Sequence, residues 1–275
     1  MHNTRSGLAC AVQRDTLICL HGSASSPRQW QRLEERLTPR FRVVAPGLIG
    51  YTDGPPWSQQ QAVTLDQEAA WAERWLDGAG APVHLVGHSY GAVVALKVAQ
   101  RRPERVRSLL LYEPVVLHLL TGDLLAQVAA LRAAVERLCQ AGDPAAAACV
   151  FIDYWSGAGT WARMSPLQQG AVIQRMHKVA AEFHAVCADA MDPARLEQLP
   201  MPILLLSGTL TPAPAAAATR VLQSFMPNAS WIEMPGLGHL GPITHPAAVN
   251  SLIALFLDPT RAPSARHQAE AARVA

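Results

Sequence analysis

The segment from Pro82 to Leu96 is an apolar, β-prone run that breaks on Gly87-His88-Ser89-Tyr90-Gly91 and resumes as a helix. A strand that turns at once into a helix, with G-x-S-x-G at the break, is the context a nucleophile elbow requires. Glycines on both sides let the two elements approach closely, so Ser89 can occupy a sharp, strained turn with its hydroxyl exposed. The helix that starts there points free N–H groups and a positive dipole end at whatever reacts with the serine. Chemistry by an activated serine is the leading expectation. A serine that only caps a helix in some other doubly wound protein fits the same five residues.

Composition narrows the surroundings. Half of the 275 residues are hydrophobic, enough for one large α/β domain or a domain with an insertion. The formal charge is +2 and the arginines are scattered, so nucleic acid is not an expected partner. Five cysteines, at 10, 19, 139, 149 and 187, show no metal spacing and no even disulfide set; they read as small buried hydrophobes in a reducing compartment. No apolar run reaches the length of a membrane helix, and Arg14 and Asp15 interrupt any signal-peptide core, so cytoplasmic residence is the default reading.

Apolar, β-prone runs fall at Thr16 to Leu20, Phe41 to Ala45, Val83 to Val86, Val106 to Leu111, Ile203 to Leu206 and Trp231 to Met234, with helical stretches between most of them. That alternation predicts a mainly parallel, doubly wound sheet covered on both faces. Pro27 heads a predicted helix to Leu37, another ends at Arg102-Pro103, and Pro246 opens a last one through Leu257. The region from about Leu117 to Leu199 holds no convincing strand. The pairs Asp143-Pro144, Ser165-Pro166 and Asp192-Pro193 punctuate it as successive helices, an insertion above the sheet. The expected organisation is therefore a core in two parts, 1–116 and 200–258, a helical cap over 117–199 and a flexible tail over 259–275.

Three motifs together resemble the α/β-hydrolase family over nearly the whole chain, from Leu17 to about Leu257. They are Ile18-Cys19-Leu20-His21-Gly22-Ser23, then Gly87 to Gly91, then Pro235-Gly236-Leu237-Gly238-His239, each at the C-terminal end of a predicted strand. The resemblance implies an α/β-hydrolase fold with the helical cap inserted after the sixth strand. It implies that His239, in its glycine-flanked loop, is the general base for Ser89, although His245 is a nearby competitor. It implies an oxyanion hole made by the backbone N–H groups of Ser23 and Tyr90. His21 and His88 are expected to pack or hydrogen-bond locally.

Two departures stand out. Where most members carry an Asp after the strand Ile203 to Leu206, this chain has Thr211, which holds no charge. Glu113, at the end of the strand beside the serine's own, is the better candidate, and certain haloalkane dehalogenases similarly draw their acid from this strand end. Glu113 pairing with an arginine of the insertion, or capping the following segment, remain open. The second departure is at the start, where only Leu8 to Val12 is available for the two strands the family usually places before the oxyanion strand.

The segment from Phe151 to Trp161 mixes aromatics with glycines, so Trp155 and Trp161 are candidates for touching substrate; forming the insertion's own core is an equal alternative. Trp30 is expected to pack. The resemblance implies a serine hydrolase that forms an acyl-enzyme with a small, mostly apolar ester, thioester or lactone. It needs no cofactor or metal, and no membrane or macromolecular partner beyond a monomer or homodimer. Carbon–carbon bond hydrolysis or cofactor-free perhydrolysis with the same three residues is an alternative, as is a binding protein that keeps the fold without the chemistry.

Overall fold

The computed structural model describes residues 14–189 and 191–258. Six strands form one parallel sheet: β1 Asp15–Leu20, β2 Phe41–Val44, β3 Val83–His88, β4 Val106–Tyr112, β5 Ile203–Gly208 and β6 Ala229–Met234. Their order is β2-β1-β3-β4-β5-β6, so β3 and β4 are central, and the Ser89 turn leaves from the middle of the sheet. Each strand lies where an apolar run predicts it, shifted by a residue or two at the ends.

The helices are α1 Gln31–Leu37, α2 Leu65–Asp77, α3 Tyr90–Arg101, α4 Gly122–Gln140, α5 Pro144–Ser156, α6 Thr160–Arg163, α7 Pro166–Ile173, α8 Met176–Ala188, α9 Pro193–Glu197, α10 Ala213–Ser224, α11 Gly241–Thr244 and α12 Pro246–Phe256. The central strands carry apolar stretches, Leu85-Val86 in β3 and Leu109-Leu110-Leu111 in β4, where both faces are buried. Ile18, Leu20, Leu109, Leu111, Ile203 and Leu205 pack on one side with α2, α3, α10 and the helical segment. Leu17, Cys19, Leu110, Tyr112, Leu204 and Leu206 pack on the other with α1 and α12. Trp30 is buried in that second layer, as packing requires.

Between β4 and β5 every element among the described residues is a helix, and each expected cap is made. Asp143 accepts from the Ala146 N–H, Ser165 from the Gln168 N–H, and Asp192 from the Ala194 N–H, with proline at the first helical position each time. Among the described residues this segment follows the fourth strand, not the sixth. The sixth position counts two strands ahead of β1, and Leu8 to Val12 lies outside the described residues, as do 259–275 and Cys10. A further correction concerns the cysteines: Cys19 and Cys139 are buried, but Cys149 and Cys187 are only partly so, because the helices bearing them, α5 and α8, carry half-exposed positions. No described helix is long and apolar enough to cross a membrane.

Candidate active site

Ser89 stands between β3 and α3 with φ 53° and ψ −118°, a left-handed conformation that costs a non-glycine residue about 1–3 kcal/mol. The turn is possible because its neighbours lack a Cβ. One on Gly87 would lie 2.5 Å from the Ala92 Cα, and one on Gly91 would lie 2.4 Å from the His21 carbonyl oxygen. The serine is fixed by its own N–H, which donates to the Tyr112 carbonyl at 2.9 Å.

His239 Nε2 lies 2.9 Å from Ser89 Oγ, and His239 Nδ1 lies 2.6 Å from Glu113 Oε2. An ionised carboxylate only accepts, so the proton belongs on Nδ1, which leaves Nε2 free to accept from the serine hydroxyl. His245 is exposed and bonds its neighbour Thr244 instead.

Glu113 is the residue immediately after β4 and, at φ 46°, shares the strained left-handed conformation of Ser89. Three donors converge on its buried carboxylate: the Gly208 N–H at 2.7 Å, the Thr211 hydroxyl and His239 Nδ1. Thr211, at the position where the family resemblance implies an acid, thus donates to Glu113. Neither an arginine of the helical segment nor a capped backbone claims Glu113.

The loop bearing His239 is tethered from two strands. His88 Nε2 donates to the His239 carbonyl at 2.8 Å, and the Tyr112 hydroxyl donates to the Gly238 carbonyl at 2.7 Å. Burial, aided by the neighbouring His239, pushes the His88 pKa down to about 3, so the ring is a neutral donor at any working pH. His21, pushed down to about 4 by burial, is neutral too; it bonds the Gly22 carbonyl and accepts from the Leu48 N–H. His21 therefore bonds its neighbour Gly22 as expected but also Leu48, 27 residues on, and His88 reaches 151 residues along the chain.

Tyr90 is the first residue of α3, so its N–H has no intrahelical acceptor. Ser23, Ser89 and Tyr90 line one small cavity. The loop carrying Ser23 is held at Ala24, itself at φ 57°: its N–H donates to the Tyr51 hydroxyl and its carbonyl accepts from Arg175, each at 3.0 Å. No short-range signal in the sequence marks Tyr51, Tyr112 or Arg175, because their partners lie far along the chain.

Two cavities meet at Ser23, Ser89, Phe151 and Trp155. The outer one, about 240 Å³, also holds His239 and is roofed by residues of α5 and α7; Arg175 is its one cationic lining residue. The inner one is about 20 Å³. Trp155 lies against His239, ring centroids 4.5 Å apart. Trp161 lines neither cavity: the Asp153 carboxylate holds its N–H at 2.7 Å, and its ring packs on the larger core layer. A larger cavity, about 510 Å³ and lined by Trp57, His177 and His184 among others, contains none of these residues. Among the described residues no three His, Cys, Asp or Glu side chains converge as metal ligands.

The profile of the Alpha/beta hydrolase family matches residues 17–252. The chain belongs to that family. It is similar to lipase LipV of Mycobacterium tuberculosis, 36% identical over 104 residues, which are 36% of this chain and 37% of that one. It is also similar to a haloalkane dehalogenase of Agrobacterium fabrum, 31% identical over 122 residues, covering 44% of this chain and 40% of the other. The matched stretch thus spans well under half the length of either relative. A crystal structure of MGS-M2, an alpha/beta hydrolase enzyme from a Medee basin deep-sea metagenome library, shares the fold with a TM-score of 0.78 at 17% identity, covering 92% of this chain and 93% of that one.

Proposed function

We propose that the protein is a serine hydrolase that cleaves a small, mostly apolar ester, thioester or lactone through an acyl-enzyme on Ser89. His239 takes the serine proton as general base and then returns it to the leaving group; Glu113 holds the imidazole tautomer and balances the imidazolium. The N–H groups of Ser23 and Tyr90 receive the oxyanion. The segment over 117–199 acts as a cap that closes the reacting carbonyl away from water.

The observation that carries this reading is the unbroken hydrogen-bonded run from Ser89 Oγ through both nitrogens of His239 to Glu113 Oε2. The reading of a fold without chemistry rested on the missing acid at 211, and Glu113 supplies a carboxylate in its stead. The mainly apolar walls of the outer cavity favour an uncharged body for the substrate.

A fluorophosphonate probe should label Ser89 and no residue in Ser89→Ala, and a panel of short-chain esters and thioesters should turn over with the wild type alone. Absence of both labelling and turnover in a folded sample removes the hypothesis. Including vinylogous diketones and peracid formation in the panel separates ester cleavage from carbon–carbon bond hydrolysis and perhydrolysis.

A further inference from the structure

Arg175 stands at the junction of α7 and α8 and lines the outer cavity together with Ser89 and His239. No aspartate or glutamate lines that cavity, and among the described residues no carboxylate forms an ion pair with the guanidinium. The two lysines of the chain differ: Lys97 pairs with Asp189, and Lys178 is shared by Glu68 and Glu182. The guanidinium is nonetheless held in place. Its Nη1 donates to the Ala24 carbonyl at 3.0 Å, and the group sits over the Tyr51 ring, 5.9 Å from the centroid. Nε and Nη2 have no acceptor among the described residues, yet neither is enclosed in the way the orphaned Arg132 Nε is. Those two nitrogens form the edge whose parallel N–H groups pair a carboxylate with two bonds at once. A fixed cation with that edge open has its binding geometry in place before a ligand arrives.

The open edge is close to the proposed chemistry. Ala24 directly follows Ser23, whose N–H receives the oxyanion on that reading, and adjacent residues are about 3.8 Å apart. An anion on Arg175 is therefore only a few bonds from the reacting carbonyl. The inner cavity, about 20 Å³, is roughly one water site, so an arm bearing an anion belongs in the outer cavity with Arg175. One cation among mainly apolar walls matches one negative charge. A phosphate dianion would leave its second charge without a counter-ion there, so a carboxylate fits better.

We propose that Arg175 determines specificity by binding a carboxylate, so that the preferred substrates are short esters carrying one carboxylate a few bonds from the scissile carbonyl. This rests on the serine hydrolase reading above and deepens it: the body of the substrate stays uncharged, and only its end is ionised.

The test is kcat/KM for pairs that differ only in charge, each rate divided by its hydroxide-catalysed rate. Monoethyl glutarate and monoethyl adipate, set against their primary amides, carry the carboxylate on the acyl side; 4-acetoxybutanoate against 4-acetoxybutanamide carries it on the leaving group. The wild type should favour the carboxylate member of at least one pair by about tenfold or more, the effect of a charge-assisted hydrogen bond. Because Arg175 also steadies the Ser23 loop, Arg175→Gln can slow every substrate, but a common factor cancels within a pair. Its ratio should fall toward one, Arg175→Lys should keep part of the preference, and Arg220→Gln, the same loss of charge away from both cavities, should keep all of it. Equal corrected rates in the wild type, or a preference that survives Arg175→Gln, reduces Arg175 to a brace for the loop and overturns the proposal. Should Arg175→Gln fail to fold, an Arg175→Lys ratio equal to that of the wild type does the same. Absence of any Ser89-dependent turnover overturns the hydrolase reading itself, and this inference with it.

Discussion

Thr211 donates its hydroxyl hydrogen to Glu113 Oε2, the same oxygen that accepts from His239 Nδ1. The residue at the position where the family resemblance implies an acid is thus a donor to Glu113, the acid proposed in its stead. A carboxylate held by three donors is well oriented toward the imidazole beside it.

Removing that charge should cost most of the activity and little of the fold. Glu113→Gln should lower ester turnover by roughly 10³- to 10⁴-fold, with the thermal midpoint of the variant close to wild type. Stopped-flow ester assays and calorimetry check the two halves; a near wild-type rate would move the orienting role elsewhere.

The relocated acid should be movable. Thr211→Asp alone sets two carboxylates in hydrogen-bonding range of each other and should both destabilise the protein and slow it. Combined with Glu113→Gln, the same aspartate restores a carboxylate beside the histidine, and activity should recover about tenfold or more over Glu113→Gln alone. A double variant no faster than that single one refutes the idea that the two positions are interchangeable.

The serine turn depends on two missing methyl groups. Gly91→Ala would drive a Cβ to within 2.6 Å of three backbone atoms of Leu20 and His21, which cannot swing aside as a side chain can. We expect at least about 3 kcal/mol of lost stability by denaturant titration, with loss of fluorophosphonate labelling in whatever remains folded. Gly236→Ala, at an open site with φ 73°, should cost about 1 kcal/mol and leave labelling intact.

Acid should weaken the fold through its buried histidines. Burial lowers the pKa of His21 and His84 to about 4 and that of His88 to about 3, below the unfolded value of about 6.5. Between those values the unfolded chain binds more protons than the folded one, so stability is full above about pH 6.5 and drains away as the pH falls toward 3. Each histidine contributes up to about 1.4 kcal/mol per pH unit within its window. Urea titrations from pH 7 to pH 4.5 should show His84→Asn with a shallower decline than wild type; identical slopes would count against the assignment for His84.

The sheet was legible because its physics is local. Ile203 to Leu206 is an unbroken apolar run and Val83 to Val86 is broken only by His84, as suits strands buried on both faces, and Asp143-Pro144 and Ser165-Pro166 announce helix starts by the shape of two adjacent residues. Ser89, His239 and Glu113 could be named because each sits just past a strand end. What stayed hidden depends on distances that only packing sets. Lys178 and Glu68 are 110 positions apart, and nothing near either predicts the other. Trp155 and Trp161 looked equivalent in sequence, yet one turn of chain held by Asp153 separates a ring that meets His239 from one that does not.

The two bonds from His88 and Tyr112 to the loop of His239 come from adjacent strands of the sheet, not from the helices overhead. The position of His239 is therefore inherited from strand register, and the proton route proposed for it has a foundation of its own. On the proposed reading, a change in the helices between Leu117 and Glu197 alters what reaches Ser89 while leaving His239 where the sheet holds it.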